Sequence, residues 1–501
     1  AAHAGRRVAV FGGGDSAVEA AVSCAEAGAE VTVSYRKDGF HRAKKGNKDK
    51  IDALIKAGTI RFEPNTTAKE ITPETVVLNR GDEQIVVPND DVLIFFGTKL
   101  PKPFLDKIGL RFAGQMDAWR VAWIVTFAMI TYCFYVLKAK KDFFPFGPGG
   151  LGQYGNWFGA GGLTGIDIPT LLKVDLGFRM VDASFWGTCM YAVLILVFGI
   201  EAYRKYPLME QKKRYLSLIT FQLFFLFAIP ELLGPLIIEG GRGYKLYALS
   251  VPWPLSIWSV IEGPNWGPGG PNAAIGWILL GCLSAFVLIP LYVRFNGERF
   301  CSYMCGCGGL AETLGDRWRH LAPRGSTSYK AEWFGKAILV LAIPVTLMIL
   351  IDAWQLVQWE TLSDVQRFST AWYSLMVDFW LASVVGVAFY PYLGNRVWCR
   401  FFCPLRAYME LLSKWFSKIA INANDKCIGC GECTRYCQMG IQVQNFAQRQ
   451  EQFHNGNSAC IQCGICIQVC PMEVLSIGER GVALKIPKKG VVTGKPVAEA
   501  A

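Results

Sequence analysis

The sequence predicts a multidomain chain: a doubly wound α/β domain at residues 1–115, six transmembrane helices within residues 116–418, and a small α+β domain at residues 419–480. Three observations predict this fold class. A glycine-rich turn follows a short apolar strand near the start, six apolar stretches are long enough to cross a bilayer, and eight cysteines recur at fixed spacing near the end. Residues 481–501 are rich in Lys, Gly and Ala and predict a basic disordered tail.

The composition favours a membrane protein of a reducing compartment. Hydrophobic residues make up 52% of the 501 residues. The 17 cysteines fall mostly in groups with metal-type spacing, which argues against a secreted disulfide scaffold. The net charge of +11 comes from Lys and Arg scattered through the N-terminal domain and beside the apolar stretches, so no nucleic-acid partner is expected.

The N-terminal domain begins with the pattern of a Rossmann-like dinucleotide-binding unit. Residues 7–11 form an apolar strand, a G-x-G-x-x-A motif opens a helix, and residues 30–34 form the next strand. The glycines let the backbone approach a pyrophosphate, and the helix N-terminus supplies amide donors. A doubly wound domain that binds no nucleotide is the alternative. The motif residues are Gly12, Gly14 and Ala17.

Basic residues follow the second strand. Arg36, Lys37 and Arg42 stand where an acidic residue would bind the adenosine ribose, and their charge suits a 2′-phosphate instead. The sequence therefore predicts NADP(H) rather than NAD(H), with an ordinary solvated basic turn as the alternative.

Residues 5–105, including the closing strand at 92–97, resemble the pyridine-nucleotide domain of thioredoxin-reductase-like flavoproteins. In that family a split FAD domain flanks this domain, and neither half is visible here. A nicotinamide transfers a hydride, whereas iron–sulfur clusters take single electrons, and a flavin normally connects the two. We therefore expect FAD from a missing segment or from a partner flavoprotein. A relic or sensor domain is the alternative.

The six apolar stretches predict a multi-pass protein of a prokaryotic cytoplasmic membrane, surrounded by the lipid bilayer. They lie at residues 116–137, 184–202, 215–238, 274–294, 336–354 and 372–392. The loops at 203–214 and 295–335 are rich in Lys and Arg, so the positive-inside rule predicts that both termini are cytoplasmic. Lysines at 138, 140 and 141 are the exception.

Two acidic residues within the apolar stretches are candidates for handling quinone or protons. Glu231 follows Pro230 in the third stretch, and Asp378 lies in the sixth; both fall in the outer half. A helix-packing acid is the alternative for each. The stretches contain no histidine, which excludes bis-histidine haem inside the membrane.

Two cysteine motifs follow the fourth and sixth stretches at the predicted inner face. Cys301 and Cys305 form one C-x3-C pair, with Cys307 two residues further on, and Cys399 and Cys403 form the other. Positions i and i+4 share one face of a helix, so each pair can present two thiols together. The two pairs predict a metal or iron–sulfur site. Thiol redox chemistry and a structural role are the alternatives.

This layout resembles the membrane polyferredoxins that serve nitrous-oxide reductase maturation and periplasmic nitrate reduction. In that family a multi-span core carries two C-x3-C-P motifs and precedes a two-cluster ferredoxin; the resemblance covers residues 180–475. Pro404 completes the second motif, whereas Gly306 replaces proline in the first. The resemblance implies an iron–sulfur electron-transfer protein.

The C-terminal domain contains two runs with the spacing C-x2-C-x2-C-x3-C. This spacing is typical of two [4Fe-4S] clusters, in which the fourth cysteine of each run ligates the cluster of the other run. Structural zinc is the alternative. The predicted ligand sets are Cys427, Cys430, Cys433 and Cys470 for one cluster, and Cys460, Cys463, Cys466 and Cys437 for the other. Residues 420–480 resemble bacterial two-cluster ferredoxins, except that Gln438 rather than proline follows Cys437.

Residues 401–419 have an apolar stripe at helical spacing, which predicts a helix on the inner membrane surface beside the second cysteine motif. A plain connecting helix is the alternative.

Together these features predict a membrane-bound electron-transfer protein. Electrons would pass between a pyridine nucleotide and flavin, the two clusters, the cysteine site and a quinone or outer acceptor, in a direction that the sequence leaves open. The alternative is a non-enzymatic accessory subunit that supplies reductant for cofactor maturation, or relays electrons with a flavoprotein or other redox partners in a larger complex. Its nucleotide domain would then be structural or regulatory. A redox-responsive NADP(H) sensor is the third possibility.

Overall fold

The computed structural model describes residues 3–41, 43–95, 101–110, 115–139, 172–177, 180–237, 251–264, 270–357 and 360–482. Arg42, which was expected at the nucleotide phosphate, and nearly all of the tail expected at 481–501 lie outside the described residues. The described part forms three regions in chain order, so the expected multidomain architecture is confirmed.

The N-terminal region, called the nucleotide domain here, contains a parallel sheet of order β3-β2-β1-β7 and a separate antiparallel sheet of order β4-β5-β6. Helices α1 and α2 pack against the parallel sheet. The strands are β1 (Arg7–Phe11), β2 (Glu30–Tyr35), β3 (Ile60–Pro64), β4 (Thr67–Ile71), β5 (Thr75–Arg80), β6 (Glu83–Pro88) and β7 (Asp91–Ile94). The helices are α1 (Asp15–Glu26), α2 (Lys45–Lys56) and α3 (Lys102–Lys107).

The composition of β1 explains its central place. Four of its five residues are buried and apolar, as expected for a parallel strand covered on both faces. Val10 pairs with Val33 of β2 on one side and with Leu93 of β7 on the other. The glycine turn after β1 therefore lies where the strand order reverses, which is where open α/β sheets bind ligands.

The middle region, the six-helix domain, contains within its described residues six helices long and apolar enough to cross a membrane. In chain order these spans are Ala118–Lys138, Ala183–Lys205, Met209–Leu236, Gly270–Tyr303, Ser326–Ala353 and Ser363–Ala388. The third span begins earlier than its apolar stretch, and the fourth ends later. Their added turns carry the buried polar residues Gln211, Arg214 and Glu298, so packing against other segments extends these helices beyond the apolar pattern.

Short elements connect the spans. At the end where the fourth span finishes they are the helix Gly306–Glu312, the 3₁₀ segment Leu314–Leu321, the helix Tyr390–Leu393, the π-helical turn Trp398–Phe402 and the helix Pro404–Phe416, called the junction helix. The other connections include the 3₁₀ segment Ile257–Val260 and the strand pair β8 (Val174–Asp175) and β9 (Met180–Val181).

The junction helix is not a helix that simply rests on a surface. Leu405 and Met409 are fully buried where it packs against the fourth and fifth spans. Leu411 and Trp415 on its other face are exposed. The prediction of a surface helix therefore describes only one of its faces.

The C-terminal region, the eight-cysteine domain, is closed by an antiparallel pair of strands in which Ile421 lies opposite Ile477. Phe453 bridges to Ile421 and is buried in a core shared with the cysteines. Its strands are β10 (Ile419–Ala423) and β11 (Leu475–Glu479), and its helices are Glu432–Arg435, Val443–Arg449 and Ile465–Gln468.

Candidate functional site

The first cysteine motif interrupts a helix. Cys301 lies in the last turn of the fourth span, whereas Cys305 is extended and caps the helix Gly306–Glu312. The Cys305 N–H donates to the carbonyl oxygen of Phe300 at 3.1 Å, a hydrogen bond that spans five residues. Gly308 permits this close turn, because a Cβ atom there would lie 1.9 Å from the Cys301 carbonyl oxygen.

The second motif repeats this geometry. Cys399 lies in the π-helical turn Trp398–Phe402, and Cys403 is extended and caps the junction helix. The Cys403 N–H donates to the carbonyl oxygen of Trp398 at 2.9 Å. The expectation that each pair lies on one continuous helix is therefore wrong. Pro404 accounts for this break, because proline disfavours helical geometry in the preceding residue and suits the first position of a helix.

The two motifs bring five thiols together, and we call Cys301, Cys305, Cys307, Cys399 and Cys403 the five-thiol site. Four of them are buried in one core, and Cys307 packs against it. The Cys307 thiol donates a hydrogen bond to Cys305, which lowers the pKa of Cys305 below its ordinary value. Burial, followed by the charges of Cys399 and Cys305, raises the pKa of Cys403. Buried thiols repel one another when ionised, so a bound cation is needed to hold several as thiolates.

A buried arginine lies against the five-thiol site. Arg396 Nη1 donates to Cys399 Sγ at 3.2 Å and to the Cys301 carbonyl oxygen at 3.2 Å. Its Nη2 donates to Ser302 Oγ at 3.0 Å and forms an ion pair with Glu312. Burial opposes this charge, but the negative charges of Glu312 and Cys399 outweigh it and raise the pKa of Arg396. The guanidinium therefore offsets thiolate charge at this site.

Glu312 connects this arginine to other segments. One carboxylate oxygen lies 2.9 Å from Arg214 Nη1 and 2.5 Å from Arg319 Nη2. The other accepts hydrogen bonds from Ser302 Oγ at 2.8 Å and from Gln438 Nε2 at 2.7 Å. Glu312 is 0% exposed. Burial alone would raise the pKa of Glu312, and the surrounding arginines instead hold it well below its usual range.

A second buried carboxylate holds the eight-cysteine domain from another side. Glu298 Oε1 accepts a hydrogen bond from Asn455 Nδ2 at 2.5 Å, and the Glu298 N–H donates to Gln462 Oε1 at 2.9 Å. The other oxygen of Glu298 lies 3.5 Å from Arg406 Nε. Polar contacts with buried partners thus dock the eight-cysteine domain on the six-helix domain.

The structure places the thiols of the first predicted ligand set around one small cavity. Cys427, Cys430, Cys433 and Cys470 all line it. Burial, followed by the charges of Cys427 and Cys470, raises the pKa of Cys433 to about 12. Cys430 is exposed. The fourth cysteine of the second run is thus beside the first run, as the crossed ligand pattern requires.

The thiols of the second set lie against the six-helix domain. Burial, followed by the charges of Cys460, Cys463 and Cys437, raises the pKa of Cys466. Gln211 in the third span donates a hydrogen bond from its Nε2 to the Cys463 carbonyl oxygen at 3.0 Å. The second set is therefore the one nearer to the spans.

The four thiols of the first set surround a small cavity, as the ligands of an iron–sulfur cluster would. Among the residues that the structure describes, no three His, Cys, Asp or Glu side chains converge on one metal-ion position. A tetrahedral zinc ion requires such a position. A [4Fe-4S] cluster does not, because each of its thiolates binds a different iron.

A cavity of about 660 Å³ opens beside the five-thiol site. Cys307 and Cys399 line it together with Glu231 and Lys138. Three tyrosines also line it: Tyr135, Tyr191 and Tyr390. Glu231 therefore shares a cavity with the cysteines, whereas Asp378, the other predicted acid, is not among the lining residues.

The glycine turn of the nucleotide domain has a close-packed backbone. Gly12 has a φ of +141°, and a Cβ atom there would lie 2.9 Å from the Phe95 carbonyl oxygen. Gly14 caps α1, and Ala17 is buried against the turn. These positions suit a backbone that approaches a pyrophosphate at the start of α1.

The two described basic residues of this site are accessible. Arg36 and Lys37 are exposed immediately after β2, where a charged side chain can reach the adenosine ribose of a dinucleotide. The sequence did not indicate that Tyr35 packs on the glycine turn. Its ring covers Gly13 so closely that a Cβ atom on Gly13 would lie 2.4 Å from the ring.

Sequence reasoning also missed Arg396, Glu312 and the partners of Gln438. Arg396 stands three residues before a motif cysteine, and a charged residue so close to a buried cysteine pair is a usable signal. Gln438 was visible as a departure from the ferredoxin pattern, but its partners were not. Glu312 carried no local signal, because Arg396 and Gln438, which connect it to the two cysteine systems, come from distant segments.

Family models match three parts of the chain. Residues 1–119 match "Pyridine nucleotide-disulphide oxidoreductase", and residues 419–474 match "4Fe-4S dicluster domain". Residues 275–324 and 379–420, which contain the five-thiol site, match "4Fe-4S binding domain".

Several known proteins are similar to parts of this chain. The putative electron transport protein YccM of Escherichia coli is 29% identical over 179 residues, which are 33% of this chain and 47% of that protein. A ferredoxin–NADP reductase of Ignicoccus hospitalis is 31% identical over 121 residues, 23% of this chain and 38% of that protein. The solved bacillithiol disulfide reductase Bdr of Bacillus cereus is 31% identical with a TM-score of 0.22, over 23% of this chain and 36% of its own.

The chain therefore covers less than half of each of these relatives. It joins a region similar to pyridine nucleotide-disulphide oxidoreductases to two regions similar to 4Fe-4S domains, and about a third of it is similar to a putative electron transport protein.

Proposed function

We propose that this chain is a membrane-bound protein that conducts electrons between a pyridine nucleotide with its flavin and a quinone. Two [4Fe-4S] clusters in the eight-cysteine domain and an iron–sulfur centre at the five-thiol site would form the path. One observation carries the proposal: Gln438, the neighbour of cluster ligand Cys437, is hydrogen-bonded to the Glu312 that pairs with Arg396 at the five-thiol site. The two cysteine systems are thus joined through three side chains.

The burial of the two ligand sets supports an order along this path. Cys430 of the first set is exposed at the protein surface. Cys463 of the second set contacts the third span through Gln211. The first cluster would therefore exchange electrons with the nucleotide side and the second with the five-thiol site.

The nucleotide domain has the residues needed to hold NADP(H). The turn at Gly12 and Gly14 would bind the pyrophosphate, and Arg36 and Lys37 would bind the 2′-phosphate. When bound, the nucleotide supplies a hydride, and a flavin from another segment or a partner flavoprotein would divide it into single electrons.

The cavity beside the five-thiol site supports a quinone as the membrane partner. Its volume of about 660 Å³ lies within the usual range for small-molecule sites. Aromatic rings line it, and Glu231 and Lys138 provide polar groups. Quinone reduction consumes protons, and Glu231 would hold one at its carboxylate beside the ring. The nearby Cys399 thiolate would place the electron donor at the same cavity.

The distribution of basic residues supports a cytoplasmic position for the eight-cysteine domain. It docks where the second span ends, the third begins and the fourth ends, and these segments are rich in Lys and Arg. Under the positive-inside rule this end of the bundle, and both termini with it, would face the cytoplasm.

Anaerobic reduction of the purified membrane protein tests this function. NADPH, added with the co-purified flavoprotein or with FAD, is expected to bleach the visible cluster absorption, and a short-chain quinone is expected to restore it. No bleaching with flavin present would refute NADPH as donor and leave an accessory electron-transfer subunit as the function.

Iron analysis tests the centre at the five-thiol site: Cys399→Ser should lose about a third of the iron of a chain with three [4Fe-4S] clusters, whereas Cys282→Ser, in the fourth span, should lose none.

A further inference from the structure

Gln438 occupies the position at which this chain departs from the ferredoxin pattern. It is 1% exposed, and its Nε2 donates to Glu312 at 2.7 Å. Its Oε1 accepts a hydrogen bond from Asn395 Nδ2 at 2.9 Å. Proline at this position could make neither contact. The departure therefore adds a side chain that binds the six-helix domain directly beside the ligand Cys437.

Arg396 stands at the other end of this connection. Its guanidinium bridges Glu312, the Cys399 sulfur and the Cys301 carbonyl oxygen. An N–H bond to a ligand sulfur and a nearby positive charge both stabilise the reduced, more negative form of an iron–sulfur centre. Glu312 fixes where that charge lies, because its carboxylate is buried and accepts bonds from both Gln438 and Arg396.

We propose that Gln438, Glu312 and Arg396 form a polar relay that sets the reduction potential of the centre at the five-thiol site and couples it to the cluster ligated by Cys437. The inference rests on the proposed iron–sulfur centre there. These are positioning residues. With both centres bound, one electron lost by the Cys437 cluster would be gained by the five-thiol centre, and no bond would be made or broken.

The relay differs from a simple docking contact because it reaches a thiol of the five-thiol site. Tyr329 also binds the eight-cysteine domain, since its hydroxyl donates to the Gly440 carbonyl oxygen at 2.9 Å. No contact of Tyr329 reaches a thiol of the five-thiol site among the described hydrogen bonds. Tyr329→Phe therefore removes one docking bond of similar length and leaves the relay in place, which makes it the matched control.

The experiment is a redox titration of the full-length protein in detergent, monitored by electron paramagnetic resonance. The iron content per chain is measured in parallel. Dithionite is the reductant, so the outcome does not depend on NADPH or flavin. In Arg396→Gln the reduced-to-oxidised ratio of the five-thiol centre at a fixed potential is expected to fall at least tenfold, which is a negative shift of about 59 mV for one electron. Arg396→Lys, which keeps the charge, should recover most of it.

Gln438→Met removes the hydrogen bonds and nearly preserves volume. It is expected to change the spectra or potentials of both the Cys437 cluster and the five-thiol centre, whereas Tyr329→Phe, which removes a hydroxyl that lies near Cys437 only, should leave the five-thiol centre unchanged. The relay is refuted if Gln438→Met leaves the spectrum and potential of the five-thiol centre unchanged, as Tyr329→Phe should. It is also refuted if Arg396→Gln retains its iron and the potential does not change. If Arg396→Gln loses iron, Arg396→Lys becomes the deciding variant. A lysine variant that binds the wild-type amount of iron but lacks the wild-type potential also refutes the relay. Wild-type protein with only the iron of two clusters would refute the proposed five-thiol centre instead.

Discussion

Replacing Glu312 by Gln should destabilise the protein strongly. The substitution keeps the shape of the side chain and removes its charge. Arg214, Arg319 and Arg396 all pair with this carboxylate, and Glu312 is 0% exposed. The variant leaves three buried guanidinium groups without their shared counter-charge, so its effect should exceed that of any single ion pair at the surface.

The expected cost follows from the burial of the ions. Removing one partner of a buried ion pair costs about 3–5 kcal/mol, because the other partner stays desolvated. At about 1.4 kcal/mol for each factor of ten, the folded-to-unfolded ratio should fall by roughly a hundredfold or more. The matched control is Glu201→Gln. Glu201 pairs with Arg317 at 3.1 Å, and both side chains are more than half exposed, so this change should cost below about 1 kcal/mol.

The pH dependence gives an independent check. The pKa of Glu312 lies well below its ordinary value of 4.5 because the arginines outweigh the effect of burial. A carboxylate whose pKa is lower in the folded state stabilises the protein above the unfolded pKa, and this contribution disappears as the pH falls through the folded pKa. Wild type should therefore lose this part of its stability only below about pH 4.5, and the difference from Glu312→Gln should shrink there.

Reversible unfolding of the detergent-solubilised protein in mixtures with a denaturing detergent measures these free energies. Retained helical content and iron in the variant would show that it still folds. A cost for Glu312→Gln no larger than that for Glu201→Gln would contradict the reasoning, since it would mean that water or rearrangement replaces the lost charge.

Three further predictions follow from the geometry. Gly308→Ala should prevent assembly of the five-thiol site and lower its iron content, because its Cβ would lie 1.9 Å from a backbone oxygen, whereas Gly276→Ala, where no atom lies within 4 Å, should not. Replacing Arg36 and Lys37 by Gln should lower the preference for NADPH over NADH by about tenfold or more in a reduction assay, since two phosphate contacts are lost; an unchanged preference would exclude them from the site. Glu231→Gln should slow quinone-dependent reoxidation of the clusters at least tenfold while leaving dithionite reduction unchanged; equal reoxidation rates would remove Glu231 from the quinone step.

Local patterns predicted the elements that depend on local physics. The strand, glycine turn and helix around Gly12 follow from residue types within a few positions, and the six apolar stretches correspond to six described helices long and apolar enough to cross a membrane. The structure places Cys470 near the first run and Cys437 near the second; that these groups ligate two clusters stays a prediction. These features need no knowledge of distant segments.

Contacts between distant segments were not predictable. Arg396 and Glu312 are separated by 84 positions in the sequence, and Glu312 and Gln438 by 126. The break before Cys403 could have been predicted from Pro404. The same break before Cys305 depends on Gly308, which has no Cβ to collide with the Cys301 carbonyl oxygen. Periodicity indicates which face of a helix is apolar. It does not indicate which buried charged side chains will form ion pairs.

The concentration of buried arginines follows from where the thiols lie. Arg214, Arg319, Arg396, Arg400 and Arg406 are among the largest fully buried side chains described. An iron–sulfur cluster with four thiolates carries net negative charge, and burying it beside apolar helices is costly unless cations are close. Carboxylates such as Glu312 then keep the arginines themselves from repelling one another. The same ions would thus affect both the stability of the protein and the reduction potential of the centre. Variants in this region therefore have to be compared by stability, potential and iron content, because one quantity alone cannot distinguish a misfolded centre from a folded centre with a changed potential.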